Sequence, residues 1–235
     1  MKSGYPIIAL DVGGVIFYDQ PYELAWIQAV WQLTTSAEPG FGAADLVADL
    51  VAFYNGCVTA GNVFRSPYGR AGWIEVRGRW VELSQPLRGA VEAVQRLSRN
   101  RSLCVVANQP VECSAALTAV GIASHLSPVA LDSAVGYSKP DHRLLAWTID
   151  CLGCDPRDML VVGNREDHDV TPARVLGCAT AQLISDHKWA APVGVTPFIE
   201  GVYREMRTDA AASHASGADF VVTSLAELAE LLDRT

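Results

Sequence analysis

Six short apolar runs punctuate the chain, at residues 6–10, 102–107, 128–131, 159–162, 180–184 and 221–222. None alternates strictly between apolar and polar positions, as strands with one wet face do, so the pattern predicts parallel strands covered on both faces. Between the later runs the period changes to that of a helix. Residues 86–99 place Leu87, Val91, Val94 and Leu97 on one face, and helical segments are predicted at 111–120, 143–152 and 171–176. A last amphipathic helix carries Leu225, Leu228, Leu231 and Leu232 behind Ser224, a suitable N-cap. Strands alternating with helices define an α/β fold, a Rossmann-like three-layer core around a parallel sheet.

One interval breaks the rhythm. About ninety residues separate the first two strands, far more than a loop of a few to a dozen or so. Residues 21–84 therefore form an α-helical insert, with helices predicted at 22–33, 43–54 and 73–83, while 1–20 and 85–235 form the core. Trp26, Trp31, Trp73 and Trp80 recur at spacings that suit the insert's own interior. Arg65, Tyr68 and Arg70 fall on a glycine-containing stretch where they are candidates to meet a substrate anion. A second irregular stretch, 186–217, is expected to hold a surface loop and a helix near 197–207.

Composition narrows the partner. A formal net charge of −8 at pH 7 argues against a surface built for nucleic acid or anionic membrane, which needs clustered Lys and Arg. No run of 18 apolar residues offers a membrane span, and the N-terminal apolar stretch is short for a signal peptide. A cytoplasmic protein acting on a small molecule is expected. Of six cysteines only Cys151 and Cys154 have C-x-x-C spacing, and there Gly153 and Asp155-Pro156 read as the end of a helix, not as a metal or redox motif.

The residues just past each strand carry the candidate chemistry. Asp11 follows the first and opens the turn Val12-Gly13-Gly14; Asn108-Gln109 follows the second; Lys139-Pro140-Asp141 lies beyond the third; Gly163 to Asp169 follows the fourth. In a parallel sheet these groups meet on one edge, where ligands collect, and glycines there expose backbone amides to an anion.

This set, in this order, resembles the haloacid dehalogenase superfamily over nearly the whole chain. The resemblance implies that Asp11 is the nucleophile and forms a covalent aspartyl intermediate, with Lys139 offsetting the charge. It implies substrate contacts at Gly13, Gly14 and Asn108, a small helical cap in the insert, and Mg²⁺ held by Asp11, Asn164 and Asp169. Three positions depart from the usual phosphatase pattern: Gly13 stands where a general-acid aspartate is usual, Ala107 where a hydroxyl is, and Asn164 where a metal-binding aspartate is. Three readings follow. One is a hydrolase of phosphate esters or anhydrides with weakened or absent Mg²⁺ dependence. The second is metal-independent chemistry such as dehalogenation, and the third is an inactive protein that binds a ligand or partner.

Overall fold

The computed structural model describes residues 4–54, 68–185, 190–211 and 216–234. Strands run in chain order as β1 (Ile7–Leu10), β2 (Phe17–Tyr18), β3 (Gln85–Pro86), β4 (Ser102–Ala107), β5 (Leu126–Leu131), β6 (Met159–Gly163), β7 (Ala179–Leu183) and β8 (Phe220–Val222). The helices are α1 (Gln20–Ala37), α2 (Ala43–Tyr54), α3 (Tyr68–Val76), α4 (Trp80–Leu83), α5 (Ala90–Leu97), α6 (Cys113–Ala119), α7 (Asp132–Val135), α8 (Arg143–Leu152), α9 (Thr171–Val175), α10 (Pro197–Ala211) and α11 (Leu225–Leu232). None of the described helices is long and apolar enough to cross a membrane.

The chain divides into two compact units. The first, from residues 1–18, 85–188 and 216–235, holds a six-stranded parallel sheet in the order β5-β4-β1-β6-β7-β8. β1 is central, pairing Leu10 with Val105 of β4 and with Val162 of β6. Its Ile8, Ala9 and Leu10 are fully buried, as expected of a strand covered on both faces. On one face Ala9, Cys104, Val106, Leu144, Leu145, Ile149 and Val161 form a core cluster.

Helix ends follow local chemistry. Ser224 caps α11 by accepting from Glu227 N–H at 3.1 Å. Gly153 ends α8 at φ +59°, the left-handed cap that glycine adopts without steric cost. Cys151 and Cys154 thus flank a helix terminus, as their sequence context indicates. A short antiparallel ribbon of β2 with β3 joins the two ends of the insertion, and no sequence signal announced it. Two paired residues per strand are too few to show a period.

The second unit comprises residues 19–84 and 189–215. Residues 189–215 were assigned to the core from sequence. They cluster instead with the helical unit, because α10 packs on α1 and α2. Phe198 meets the Trp31 ring at 4.8 Å between centroids, Tyr203 Oη bonds the Glu23 carboxylate, and Gln28 Oε1 accepts from Thr196 N–H at 2.9 Å. Trp26 and Trp80 are buried in this unit, and Trp26 Nε1 donates to Gly69 O at 3.0 Å. The 73–83 helix expected from sequence is three pieces, α3, a 3₁₀ turn at Arg77–Arg79, and α4. Gly72 lets α3 approach α1 closely, since a Cβ there would lie 2.8 Å from Val30 Cγ2.

Candidate active site

At the carboxyl ends of β1 and β6 the first unit brings together Asp11, Lys139 and Asp169. Lys139 Nζ donates to Asp11 Oδ1 at 2.8 Å and to Asp169 Oδ1 at 2.6 Å. The three side chains are only 12, 9 and 3 % exposed for Asp11, Lys139 and Asp169. One ammonium thus faces two carboxylates, and the cluster carries a net negative charge. Burial raises the Asp11 carboxyl to about 6, with Lys139 pulling it down and Asp169 pushing it up. Burial also works against the Lys139 ammonium, but the two carboxylates outweigh it and hold its pKa above the ordinary lysine value. At neutral pH Asp11 is mostly an ionised carboxylate, as a nucleophile must be.

Each member is placed by its own local structure. Asp11 is fixed by its backbone N–H, which donates to Val162 O at 2.8 Å and extends the β1–β6 ladder by one residue. Lys139 is held through its peptide. Asn108 Nδ2 donates to Lys139 O at 2.8 Å, while Asn108 Oδ1 accepts from Lys139 N–H at 2.7 Å. Asn108, expected from sequence to contact substrate, is engaged with the Lys139 backbone through both ends of its amide. Ser138 Oγ bonds Asp132 Oδ2 at 2.9 Å just before it, and the Lys139-Pro140 peptide is cis.

Asp169 sits in a π-helical turn, Glu166–Val170, and such turns frequently mark functional sites. The turn brings Asp169 Oδ2 to 3.0 Å from Arg165 N–H and points its other oxygen at Lys139. Gly163 makes room for it. A Cβ on Gly163 would lie 2.1 Å from Asp169 Cγ, closer than any real contact.

Of the two glycines after Asp11, Gly14 departs from the sequence expectation of an amide free for an anion. Gly14, at φ +71°, spends its N–H on Phe17 O at 2.8 Å, so it offers no amide to a bound anion. Its missing Cβ instead admits Asn164, whose Nδ2 lies 2.2 Å from where that atom would be. Gly13 bridges to Phe17 in the same loop and provides no side chain for acid catalysis. Ala107, buried at the end of β4, brings no hydroxyl to this edge. Arg65 lies outside the described residues. Arg70 is in α3 of the second unit, exposed and helical where a loop was expected.

His168 belongs to the loop that follows β6. The structure leaves its side chain 12 % exposed and places it among the lining of a small cavity together with Asp11, Lys139, Asp141, Asp169 and Leu145. Burial lowers its pKa, so the imidazole is neutral at pH 7, with Nδ1 at 2.9 Å from Asp167 Oδ2. Its place in the fourth loop was legible, but the π turn that folds it inward was not.

Mg²⁺ prefers carboxylate and water oxygens. Both Asp169 oxygens already accept a hydrogen bond, one from Lys139 Nζ and one from Arg165 N–H. Asp11 has one oxygen on Lys139, and Asn164 is a neutral amide. Among the described residues no three His, Cys, Asp or Glu side chains are grouped to hold a metal. One partly committed carboxylate and an amide do not fit a resident Mg²⁺.

The first unit is thus a parallel α/β core with an Asp–Lys–Asp cluster where its strands end. No protein-family model matches the chain. Among curated proteins it is 29 % identical over 96 residues to a phosphoglycolate phosphatase of Mesorhizobium japonicum, covering 40 % of this chain and 42 % of that protein. It is 31 % identical over 127 residues to a phosphoserine phosphatase of Thermus thermophilus, covering 49 and 50 %. The matches thus span about half or less of those relatives' length. Similar solved structures include a HAD phosphatase from Thermococcus onnurineus, at 17 % identity with a TM-score of 0.64, covering 96 % of this chain and 97 % of that one. An L-2-haloacid dehalogenase from Xanthobacter autotrophicus, with chloropropionic acid covalently bound, gives 16 % identity and a TM-score of 0.63 over 97 and 98 %. A HAD hydrolase of Bacillus subtilis bound to magnesium gives 16 % and 0.59 over 87 and 99 %. The chain shares the fold of these haloacid dehalogenase-like structures.

Proposed function

We propose that the protein is a hydrolase acting on a small metabolite through Asp11 as nucleophile, with phosphate esters or anhydrides as the first substrate class. The observation that carries this reading is the 2.8 Å contact between the Lys139 ammonium and a buried Asp11 carboxylate at the end of the central strand. Relatives named as phosphatases favour the phosphoryl class.

In this mechanism a carboxylate oxygen of Asp11 forms a bond to the electrophilic centre, and the leaving group departs with the electron pair of the bond it breaks. Water then cleaves the aspartyl intermediate and restores the carboxylate. Lys139 offsets the negative charge that gathers on the transferred group. Asn108 and Asp169 fix the ammonium in place. With Gly13 in the acid position, the leaving group takes its proton from water or from the substrate itself. A positioned general acid contributes about 10²- to 10⁴-fold in rate, so good leaving groups such as acyl phosphates are favoured over simple alkyl esters.

The second reading, metal-independent chemistry at carbon, is favoured by the neutral Asn164 beside the nucleophile loop. A panel of phosphate esters, acyl phosphates and halogenated acids, assayed with and without Mg²⁺, separates the two. The Asp11→Asn variant is the control. Turnover by that variant equal to wild type would remove the nucleophile from the mechanism.

A further inference from the structure

Resting on that reading of the site, we infer that the neutral amide of Asn164, beside acidic side chains already engaged, leaves the site without the donors to retain a divalent cation of its own, so that charge neutralisation falls to Lys139. The Asn164 amide lies against Gly14, within 2.9 Å at Cγ of where a Cβ on that residue would be, so it faces the loop that Asp11 opens. Its backbone is anchored from the neighbouring strand, where Gln182 Nε2 donates to Asn164 O at 3.3 Å.

The rest of the loop offers no replacement, because each acidic side chain after Asn164 is already engaged. Glu166 Oε2 accepts from Gly217 N–H at 3.2 Å. Asp167 is gripped by both Arg165 Nε at 3.0 Å and Arg165 Nη2 at 2.6 Å, and its side chain is 55 % exposed, turned toward solvent. Asp169 divides its oxygens between Lys139 and Arg165 N–H. Freeing any of them for a cation would break a hydrogen bond that shapes the π turn.

Charge bookkeeping gives the consequence. Asp11, Lys139 and Asp169 together carry a net negative charge, and a phosphate monoester adds to it with no cation to compensate. A carboxylate at position 164 would supply the second anionic oxygen donor that a hard cation needs, and the cation would then draw phosphate into the site. By linkage, any factor by which Mg²⁺ tightens phosphate binding is the factor by which phosphate tightens Mg²⁺ binding.

The test titrates Mg²⁺ alone, and then inorganic phosphate with and without Mg²⁺, into the wild-type protein and the Asn164→Asp variant, followed by thermal melting and calorimetry. The wild type is expected to show no melting shift up to several-millimolar Mg²⁺ and the same phosphate affinity with and without it. Asn164→Asp, nearly isosteric, is expected to bind Mg²⁺ roughly tenfold tighter or more and to tighten phosphate reciprocally. Millimolar or tighter Mg²⁺ binding by the wild type overturns the inference, and so does a folded Asn164→Asp protein that gains none. These readouts need no turnover. They are therefore separate from the Asp11→Asn assay, on which the hydrolase reading stands or falls.

Discussion

Replacing Lys139 with Met tests whether the Asp11–Lys139–Asp169 cluster is a coupled unit. The substitution keeps most of the side-chain volume but leaves two carboxylates, 12 and 3 % exposed, facing each other without a cation. Removing one partner of a buried ion pair costs about 3–5 kcal/mol, because the remaining charge is stranded in a poorly solvated place. For a chain of this size, where about 1 kcal/mol moves Tm by roughly 2–4 °C, the expected loss is about 6–20 °C at pH 7. The pH dependence is a second signature. Without the ammonium the buried Asp11 carboxyl loses the charge that lowers its pKa, so its folded-state value rises further above the unfolded one. The folded variant then binds more protons than the unfolded chain, so its stability rises as pH falls from 7 toward 5. In the wild type Asp11, at about 6, gives the same sign through burial. The Lys139 contribution is constant in this window, since a raised lysine pKa loses stability only in strong alkali. The variant should therefore gain relative to wild type on acidification. Adding Asp169→Asn to Lys139→Met should recover part of the loss. Urea unfolding of the three proteins at pH 5 and 7, followed by circular dichroism, measures all of this. A loss below about 1 kcal/mol at pH 7, with no pH dependence, would refute the coupling.

Other outcomes follow from the same contacts. The acid limb of kcat/KM should lie near pH 6, where Asp11 becomes protonated, and should move lower in Asp169→Asn because a charge that raises the Asp11 pKa is removed; a pH-rate profile of each protein checks this. Asn108→Ala removes both bonds to the Lys139 peptide, and is expected to cost about 1–3 kcal/mol in urea unfolding and to lower kcat more than KM rises. Gly163→Ala forces Asp169 to move and should cost about 1–3 kcal/mol by overpacking, together with a loss of turnover. In the helical unit, Tyr203→Phe removes the hydroxyl's bond to the Glu23 carboxylate and should destabilise by about 1–3 kcal/mol, read as a lower urea midpoint.

Much of the sheet was legible because its strands are buried on both faces and so read as continuous apolar runs. β4 spans residues 102–107 and α8 residues 143–152, both as the pattern predicts, and the other core strands differ at their ends by a residue or two. What was not legible depended on contacts distant in sequence. Nothing local in residues 190–211 says that Phe198 will meet Trp31, or that Thr196 will bond Gln28, so the segment could not be given to the helical unit. Gly78 and the residues beside it form a 3₁₀ turn, which broke a helix that apolar spacing alone made continuous.

The site divides in the same way. Asp11, Lys139 and Asp169 were found because each lies just beyond a strand or within the loop that follows one, and topology then brings them together. Their roles were less visible. That Asn108 grips a peptide, that Gly14 receives an amide side chain, and that Gly163 clears space for Asp169 are all facts of backbone approach. A glycine's absent Cβ leaves no trace of what fills the gap.

The central claim is that Asp11 takes the transferred group. Wild-type and Asp11→Asn proteins can be mixed with acetyl phosphate and p-nitrophenyl phosphate, quenched in acid, digested and analysed by mass spectrometry. The account predicts a phosphoryl adduct on the peptide carrying Asp11 in the wild type, with neither adduct nor turnover in the variant. Wild-type turnover by Asp11→Asn, or an adduct on another residue, would contradict it.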